Sequence, residues 1–207
     1  MRLRGVWRLR RWCDRRRIAG YEDVEGFLTE REALELYRLA NEVPRGGCVV
    51  EIGSWKGKST YCLARGLRRG VVHAIDPFDA SGEEHSKRVY AEMRGESPLL
   101  EQFQAKMANL GVLDRISPHV GRSGNFVGAF PRIDLLFIDG DHSIEACDFD
   151  YRTFAPNIVQ GGRLALHDYD ARSKGMGPTW VVEHAVLPSG EYEFERLVDS
   201  LWVGLKK

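Results

Sequence analysis

Four short apolar runs, at residues 48–52, 71–75, 133–138 and 163–166, and a weaker strand-like segment at 115–120 are separated by stretches whose apolar residues recur at helical spacing. Such alternation admits few folds. Strands joined through helices pair in parallel, and a sheet built that way is covered on both faces. The run Ile133-Asp134-Leu135-Leu136-Phe137-Ile138 is apolar at nearly every position, as expected of a strand buried on both sides. Helices are expected over residues 22–42, 58–69, 98–110, 144–158 and 179–187, with a short one at 125–130. Thr29-Glu30-Arg31-Glu32 has the form of a capping box inside the first of these. Two strand-like segments, 192–198 and 201–205, come last with no helix between them, which sets an antiparallel pair at one edge. Residues 81–95 are polar and read as a cover, not as a core element.

A chain of 207 residues with 43% hydrophobic content is enough for one such α/β domain. The expected division is a basic N-terminal arm over residues 1–20 and a single domain over 21–207. Eight arginines and one aspartate fall in residues 1–17, so a chain of zero formal charge has an acidic body. Val6, Trp7, Leu9 and Trp12 interleave those arginines. The pattern suits a solvated tail, an arm that joins copies into a homo-oligomer, or a short amphipathic helix on anionic lipid or a protein partner. An acidic body without a basic, aromatic stripe argues against nucleic acid as a substrate. No apolar run approaches the roughly 18 residues of a membrane-spanning helix, and the first residues lack the apolar core of a secretory signal. Cys13, Cys48, Cys62 and Cys147 form neither a CxxC pair nor a zinc spacing. Reduced thiols and a cytoplasmic location are the expectation.

In doubly wound sheets ligands sit beyond the carboxyl ends of the strands, where the strand order reverses. The residues just past each expected strand are therefore the informative ones. After the first comes Gly53-Ser54-Trp55-Lys56-Gly57-Lys58-Ser59-Thr60, after the second Asp76-Pro77, after the fourth Asp139-Gly140-Asp141-His142, and after the fifth His167-Asp168-Tyr169. Gly53 and Gly57 permit a tight turn into a helix and close approach of backbone to a ligand. Three residues separate these glycines, one short of the triphosphate-binding GxxxxGK[ST], and Trp55 breaks the dinucleotide GxGxxG pattern. Asp76, some 20 residues on, is placed to accept hydrogen bonds from ribose hydroxyls. Turn and acid together point to a nucleoside-bearing ligand without a pyrophosphate. If the fourth and fifth strands are neighbours, Asp139, His167 and Asp168 can share one divalent cation. His142 would then stand beside it as a general base; capping of the next helix is the competing role for Asp141 and His142.

Together these motifs resemble those of class I S-adenosylmethionine-dependent methyltransferases. More narrowly, the chain is similar to the small metal-dependent O-methyltransferases that act on catechols and macrolide sugars. Val49 to Thr60, Ile133 to Ser143, and Gly161-Gly162 before Ala165 to Tyr169 carry the likeness. It implies a Rossmann-like doubly wound, mostly parallel seven-stranded sheet with an antiparallel C-terminal edge. It also implies that Glu51, Gly53 and Ser54 line the methionine part of the cofactor, that Gly57 and Ser59 turn the chain past it, and that Asp76 holds the ribose. Ser123 approaches the adenine, and Asp139 borders both cofactor and metal. Asp139, His167 and Asp168 occupy the metal-ligand positions, with Mg²⁺ the expected ion. His167 departs from the usual carboxylate there. His142 is the expected base, and the acceptor is a small molecule with vicinal hydroxyls. Two other readings stand beside this one: a methyltransferase-like module without catalysis, and a Mg-dependent P-loop-like NTPase.

Overall fold

The computed structural model describes residues 14–81 and 87–207. Seven strands form one sheet: β1 (Gly47–Ile52), β2 (Gly70–Asp76), β3 (Ile116–Val120), β4 (Ile133–Ile138), β5 (Ile158–Leu166), β6 (Tyr192–Val198) and β7 (Leu201–Lys206). Their order is β3-β2-β1-β4-β5-β7-β6. The first five are parallel, β7 runs antiparallel to β5, and β6 antiparallel to β7. The order reverses between β1 and β4, so the expected fold class is what the chain adopts.

The helices are α1 (Glu30–Glu42), α2 (Lys58–Gly66), α3 (Lys87–Arg94), α4 (Leu99–Asn109), α5 (Ile144–Phe154) and α6 (Gly177–Val181), which continues through a π turn at Val182–Val186. Strand alternation sends successive side chains to opposite sides. Val49, Leu135 and Phe137 join α1, α2 and α4 in one core through Leu36, Leu63 and Phe103. Val50, Leu136 and Ile138 join α5 and α6 in the other through Cys147, Phe154 and Val181.

Several boundaries differ from the sequence expectation. Residues 22–42 are not one helix: a single 3-10 turn spans Ala19–Asp23, and α1 starts afresh at Glu30. The restart is the capping box itself, with the Thr29 hydroxyl accepting from the Glu32 amide and the Glu32 carboxylate accepting from the Thr29 amide. The helix expected over 144–158 stops at Phe154, since Pro156 cannot continue it, and β5 begins already at Ile158. The short helix expected at 125–130 is a 3-10 turn at Ser123–Phe126. The polar cover contributes α3; residues 82–86 lie outside the described residues.

The domain also begins before residue 21. Ile18 is fully buried, and Asp14 pairs with Arg38 of α1 at 3.1 Å. The arginine-rich segment up to residue 13, with the lipid, partner and oligomer contacts expected of it, lies outside the described residues. Among those described, Cys48, Cys62 and Cys147 are free thiols, and no helix is long and apolar enough to cross a membrane.

Candidate active site

The carboxyl ends of β1, β2, β4 and β5 open into a cleft of about 820 Å³. Backbone bonds hold the strand tips in step. The Gly53 amide donates to the Ile75 carbonyl (2.9 Å), the Asp139 amide to the Ile52 carbonyl (2.8 Å), and the His167 amide to the Ile138 carbonyl (3.1 Å). Gly53 has φ +89°, and a Cβ there would run into the backbone carbonyl of Asp139. The glycine turn thus lies directly against the start of the Asp139-Gly140-Asp141-His142 loop.

Asp76 ties this turn to the next loop. Its Oδ2 accepts from the Trp55 amide at 2.8 Å and its Oδ1 from the Phe78 amide at 2.6 Å. Burial raises the Asp76 pKa, and those two amides oppose the rise. Each oxygen retains a lone pair, and Asp76 lines the cleft beside Gly53, Ser54, Ser59 and Ser123.

Glu51, expected along the methionine part of the cofactor, does not line the cleft, and Gly57 turns the chain into α2 with φ +92° without lining it either. Glu51 is fully buried beneath the turn, where its Oε2 accepts from the hydroxyls of Ser54 (2.8 Å) and Thr60 (2.5 Å). A strand tip buried on both faces draws its side chain into the core, so Glu51 positions Ser54. Gly57 faces Phe103 and Met107 across the core. Burial pushes the Glu51 pKa up to about 7, with Ser59, Thr60 and Ser54 opposing. An acid whose folded pKa is raised binds a proton in the native state that the unfolded chain has released. Stability therefore falls as pH rises from the ordinary glutamate value through about 7. Glu51→Gln should abolish that decline, which amounts to about 2–3 kcal/mol between roughly pH 4.5 and 8. Urea unfolding of both proteins at several pH values checks it; equal slopes would contradict it.

The acidic tips meet on the far side of the turn. Asp139, His142 and Asp168 each offer a ligand atom within 4.8 Å of the others. His142 Nε2 lies 3.0 Å from Asp168 Oδ2 and 3.8 Å from Asp139 Oδ1. Asp168 has φ +57°, in the left-handed region a non-glycine residue rarely occupies. The metal set expected from sequence has His167 in place of His142. His167 is 3% exposed, with Nδ1 3.1 Å from Asp139 Oδ1 and 3.4 Å from Asp168 Oδ2. Its Nε2 faces Glu32 Oε2 at 3.4 Å. His167 also lines the cleft, so the imidazoles of both His142 and His167 stand against Asp139 and Asp168, while Glu32 faces the other ring nitrogen of His167.

Glu32 is a site residue that the sequence does not announce. Its Oε1 accepts from the amide (2.9 Å) and hydroxyl (2.8 Å) of Ser200, while Oε2 serves Thr29 and His167. Burial would raise its pKa, but His167 and these donors hold it at about 2. Burial alone would lower the His167 pKa; Asp139, with Asp168 and Glu32, drives it far above the ordinary imidazole value. Burial opposes ionisation of Asp139 and Asp168 as well, yet the two histidines hold both below the usual carboxylate range. The capping-box pattern marks Glu32, but only as a helix start.

The expected cover is in place. Glu25, Phe27 and Leu28 ahead of α1 line the cleft with Val89 and Tyr90 of α3. The Tyr90 ring packs edge-on to Trp55 (4.7 Å between centroids) and Phe27 (6.2 Å). Lys56 Nζ bridges Glu25 (2.7 Å) and the Met93 carbonyl (2.6 Å), joining both covering segments.

A family model described as a methyltransferase domain matches residues 50–169. A curated relative, the uncharacterized protein R132 of Acanthamoeba polyphaga mimivirus, is 24% identical over 142 residues, 65% of this chain and 57% of that protein. The chain thus spans little more than half the length of the relative it matches. Among solved structures, the O-methyltransferase TomG from Streptomyces achromogenes, in complex with SAM, superposes with a TM-score of 0.65 at 16% identity, over 87% of this chain and 82% of TomG. The O-methyltransferase NovP gives 0.64 at 16% identity, over 86% of this chain and 80% of its own. At such identities the likeness is one of fold.

Proposed function

The chain belongs to the methyltransferase domain family, and on that premise we propose that it moves a methyl group from S-adenosylmethionine to a hydroxyl of a sugar or other polyhydroxylated small molecule, assisted by a divalent cation. One observation carries the reading. The glycine turn, the Asp76 carboxylate and the Asp139, His142 and Asp168 cluster all open into the same cleft. A nucleoside site and an oxygen-rich polar site side by side are what methyl transfer to a hydroxyl requires.

In this reading the Gly53 turn and Ser54 hold the methionine end of the cofactor, Asp76 accepts from the ribose, and Ser123 borders the adenine. The two carboxylates fit a divalent cation, with Asp139 and Asp168 as its oxygen ligands and His142 kept for the proton. Three carboxylates, Glu32, Asp139 and Asp168, gather around His167 there, with His142 against the latter two. When bound, the cation would lower the pKa of an acceptor hydroxyl and fix its position. Glu32 and Asp139 hold the His167 ring, so the cluster keeps its shape without substrate. His142 takes the hydroxyl proton at its imidazole, and Asp168, 3.0 Å away, stabilises the imidazolium formed. The cover of Phe27, Trp55 and Tyr90 orients the two reactants, which supplies much of the remaining rate.

The test is release of S-adenosylhomocysteine from S-adenosylmethionine with 3,4-dihydroxybenzoate and methyl glycosides as acceptors. Transfer should stop in EDTA and return with Mg²⁺ or Mn²⁺, and His142→Ala should cost about 10²-fold or more in kcat. Full activity in EDTA would remove the cation from the reading. ATP hydrolysis without methyl transfer would favour the NTPase, which the three-residue glycine spacing disfavours.

A further inference from the structure

His73 of β2 and His119 of β3 form a polar pair that methyl transfer in the cleft leaves unused. Ser117 stands opposite His73 and His119 opposite Ile75, so the two imidazoles are diagonal neighbours on one face of the sheet. That face carries Ile75 and Phe130 into the core under α5 and α6, and β3 is its edge strand. His73 Nδ1 lies 3.0 Å from His119 Nε2. The ring centroids are 5.2 Å apart, so the rings meet nearly end to end, the N–H of one aimed at the lone pair of the other. This is an N–H···N hydrogen bond; two lone pairs converging on an ion would set the rings at an angle around it. Phe130 packs on both rings, at 4.9 and 5.3 Å between centroids, and Phe126 on His119 at 5.2 Å.

Only a neutral ring can accept. One added proton leaves the bond intact, but a second sets two cations against each other across 3.0 Å. Among the described residues no carboxylate, lysine or arginine pairs with either ring to offset that charge. β1 presents Val50 opposite His73, and Cys48 two positions back is a neutral thiol whose pKa burial pushes up to about 11. Ser117 flanks His73 on β3, and Asp76 further along β2 is engaged with the Trp55 and Phe78 amides. Burial lowers the pKa of both histidines, and His119 lowers that of His73 further, so at neutral pH the pair is uncharged. The pair also lies under the rim of the cleft. Two residues past His119 the Gly121 amide donates to the Asp76 carbonyl at 3.0 Å, and Gly121, Ser123 and Gly124 line the cleft. Phe126, whose ring rests on His119, ends the 3-10 turn that holds Ser123 and Gly124.

We propose that the His73–His119 pair is an acid-sensitive clasp: uncharged, it holds β3 and the turn at Ser123–Phe126 against β2, and doubly protonated it parts that edge and loosens one wall of the cleft. The sign follows from linkage. With both histidines held below the ordinary imidazole value of 6.5, the parted state binds more protons than the closed one, so the closed state is lost as pH falls below that value. The effect on ligand affinity rests on the reading of the cleft as an S-adenosylmethionine site; the effect on the sheet edge does not.

Two measurements on the full chain at about pH 7.5 and about pH 5.5 test this: calorimetric titration with S-adenosylhomocysteine, and hydrogen-exchange protection of residues 116–126, corrected for the intrinsic rate. At the lower pH affinity should fall by about tenfold or more, and protection should fall with it. The double variant His73→Asn, His119→Gln sets amides where the two bonded nitrogens stand, and so keeps a hydrogen bond that does not titrate. Its affinity should change by less than about threefold over the same range, with protection unaltered. If that variant does not fold, an NMR titration of the unaltered protein decides. Both imidazoles should then resist protonation below the ordinary value, and the Gly121 and Ser123 amides should shift as they titrate. An equal decline in the variant would assign the effect to Asp76 or His142 and overturn the proposal. Unchanged protection in the unaltered protein, or imidazoles that titrate without a response at Gly121 and Ser123, would overturn it too. Failure to bind S-adenosylhomocysteine at either pH overturns the cofactor reading alone, and the exchange measurement still decides on the clasp.

Discussion

Alanine at position 53 is expected to destabilise the fold by roughly 3 kcal/mol or more and to abolish binding of S-adenosylhomocysteine. Two costs combine there. The backbone has φ +89°, a region that side chains other than glycine's avoid, and the added Cβ meets the carbonyl of Asp139 rather than a side chain that could swing away. Neither segment can yield without breaking a bond of the sheet, since the Gly53 amide is held by Ile75 and the Asp139 amide by Ile52. Gly46→Ala is the control. Gly46 also has positive φ, +82°, but nothing lies within 4 Å of its missing Cβ, so only the backbone strain of about 1 kcal/mol applies. Urea unfolding of the two variants side by side checks the difference. Equal losses would mean that the turn is not pressed against the acidic loop.

Asp139→Ala should reduce methyl transfer by about 10³-fold while changing S-adenosylhomocysteine affinity by less than about tenfold. The split has a geometric cause. The backbone of Asp139 abuts the glycine turn, and alanine keeps that backbone. Its carboxylate points the other way, 3.1 Å from His167 and 3.8 Å from His142. Asp139→Asn, which preserves the shape and an acceptor toward His167, should be nearly as inactive and guards against misfolding as the cause. Steady-state rates with 3,4-dihydroxybenzoate, together with calorimetry, give the two quantities. A variant that loses affinity and rate in equal measure would place Asp139 in cofactor binding and not in the chemistry.

The alternation of apolar runs and helical spacing is enough to read the layers, the parallel core and the antiparallel edge, because each rests on periodicity within one segment. Boundaries are less legible where a local device overrides the periodicity. The Thr29 and Glu32 capping box breaks residues 22–42 into two elements, and Pro156 ends α5 early. At the site, residues directly past a strand do gather at one rim: Gly53, Ser54, Asp76, Asp139 and Asp168 all line the cleft. Glu51 is misplaced by the motif because a motif does not say which side of the sheet a strand-end side chain enters. Glu32 is illegible for another reason, since it depends on α1 packing 135 residues away from the strand tip it serves.

Calorimetric titration of the unaltered chain with S-adenosylhomocysteine, and separately with ATP, tests most directly whether this cleft is built for a methyl donor. The expected result is saturable binding of the thioether nucleoside at a single site and no heat from the nucleotide. Binding of ATP with no response to S-adenosylhomocysteine would contradict it.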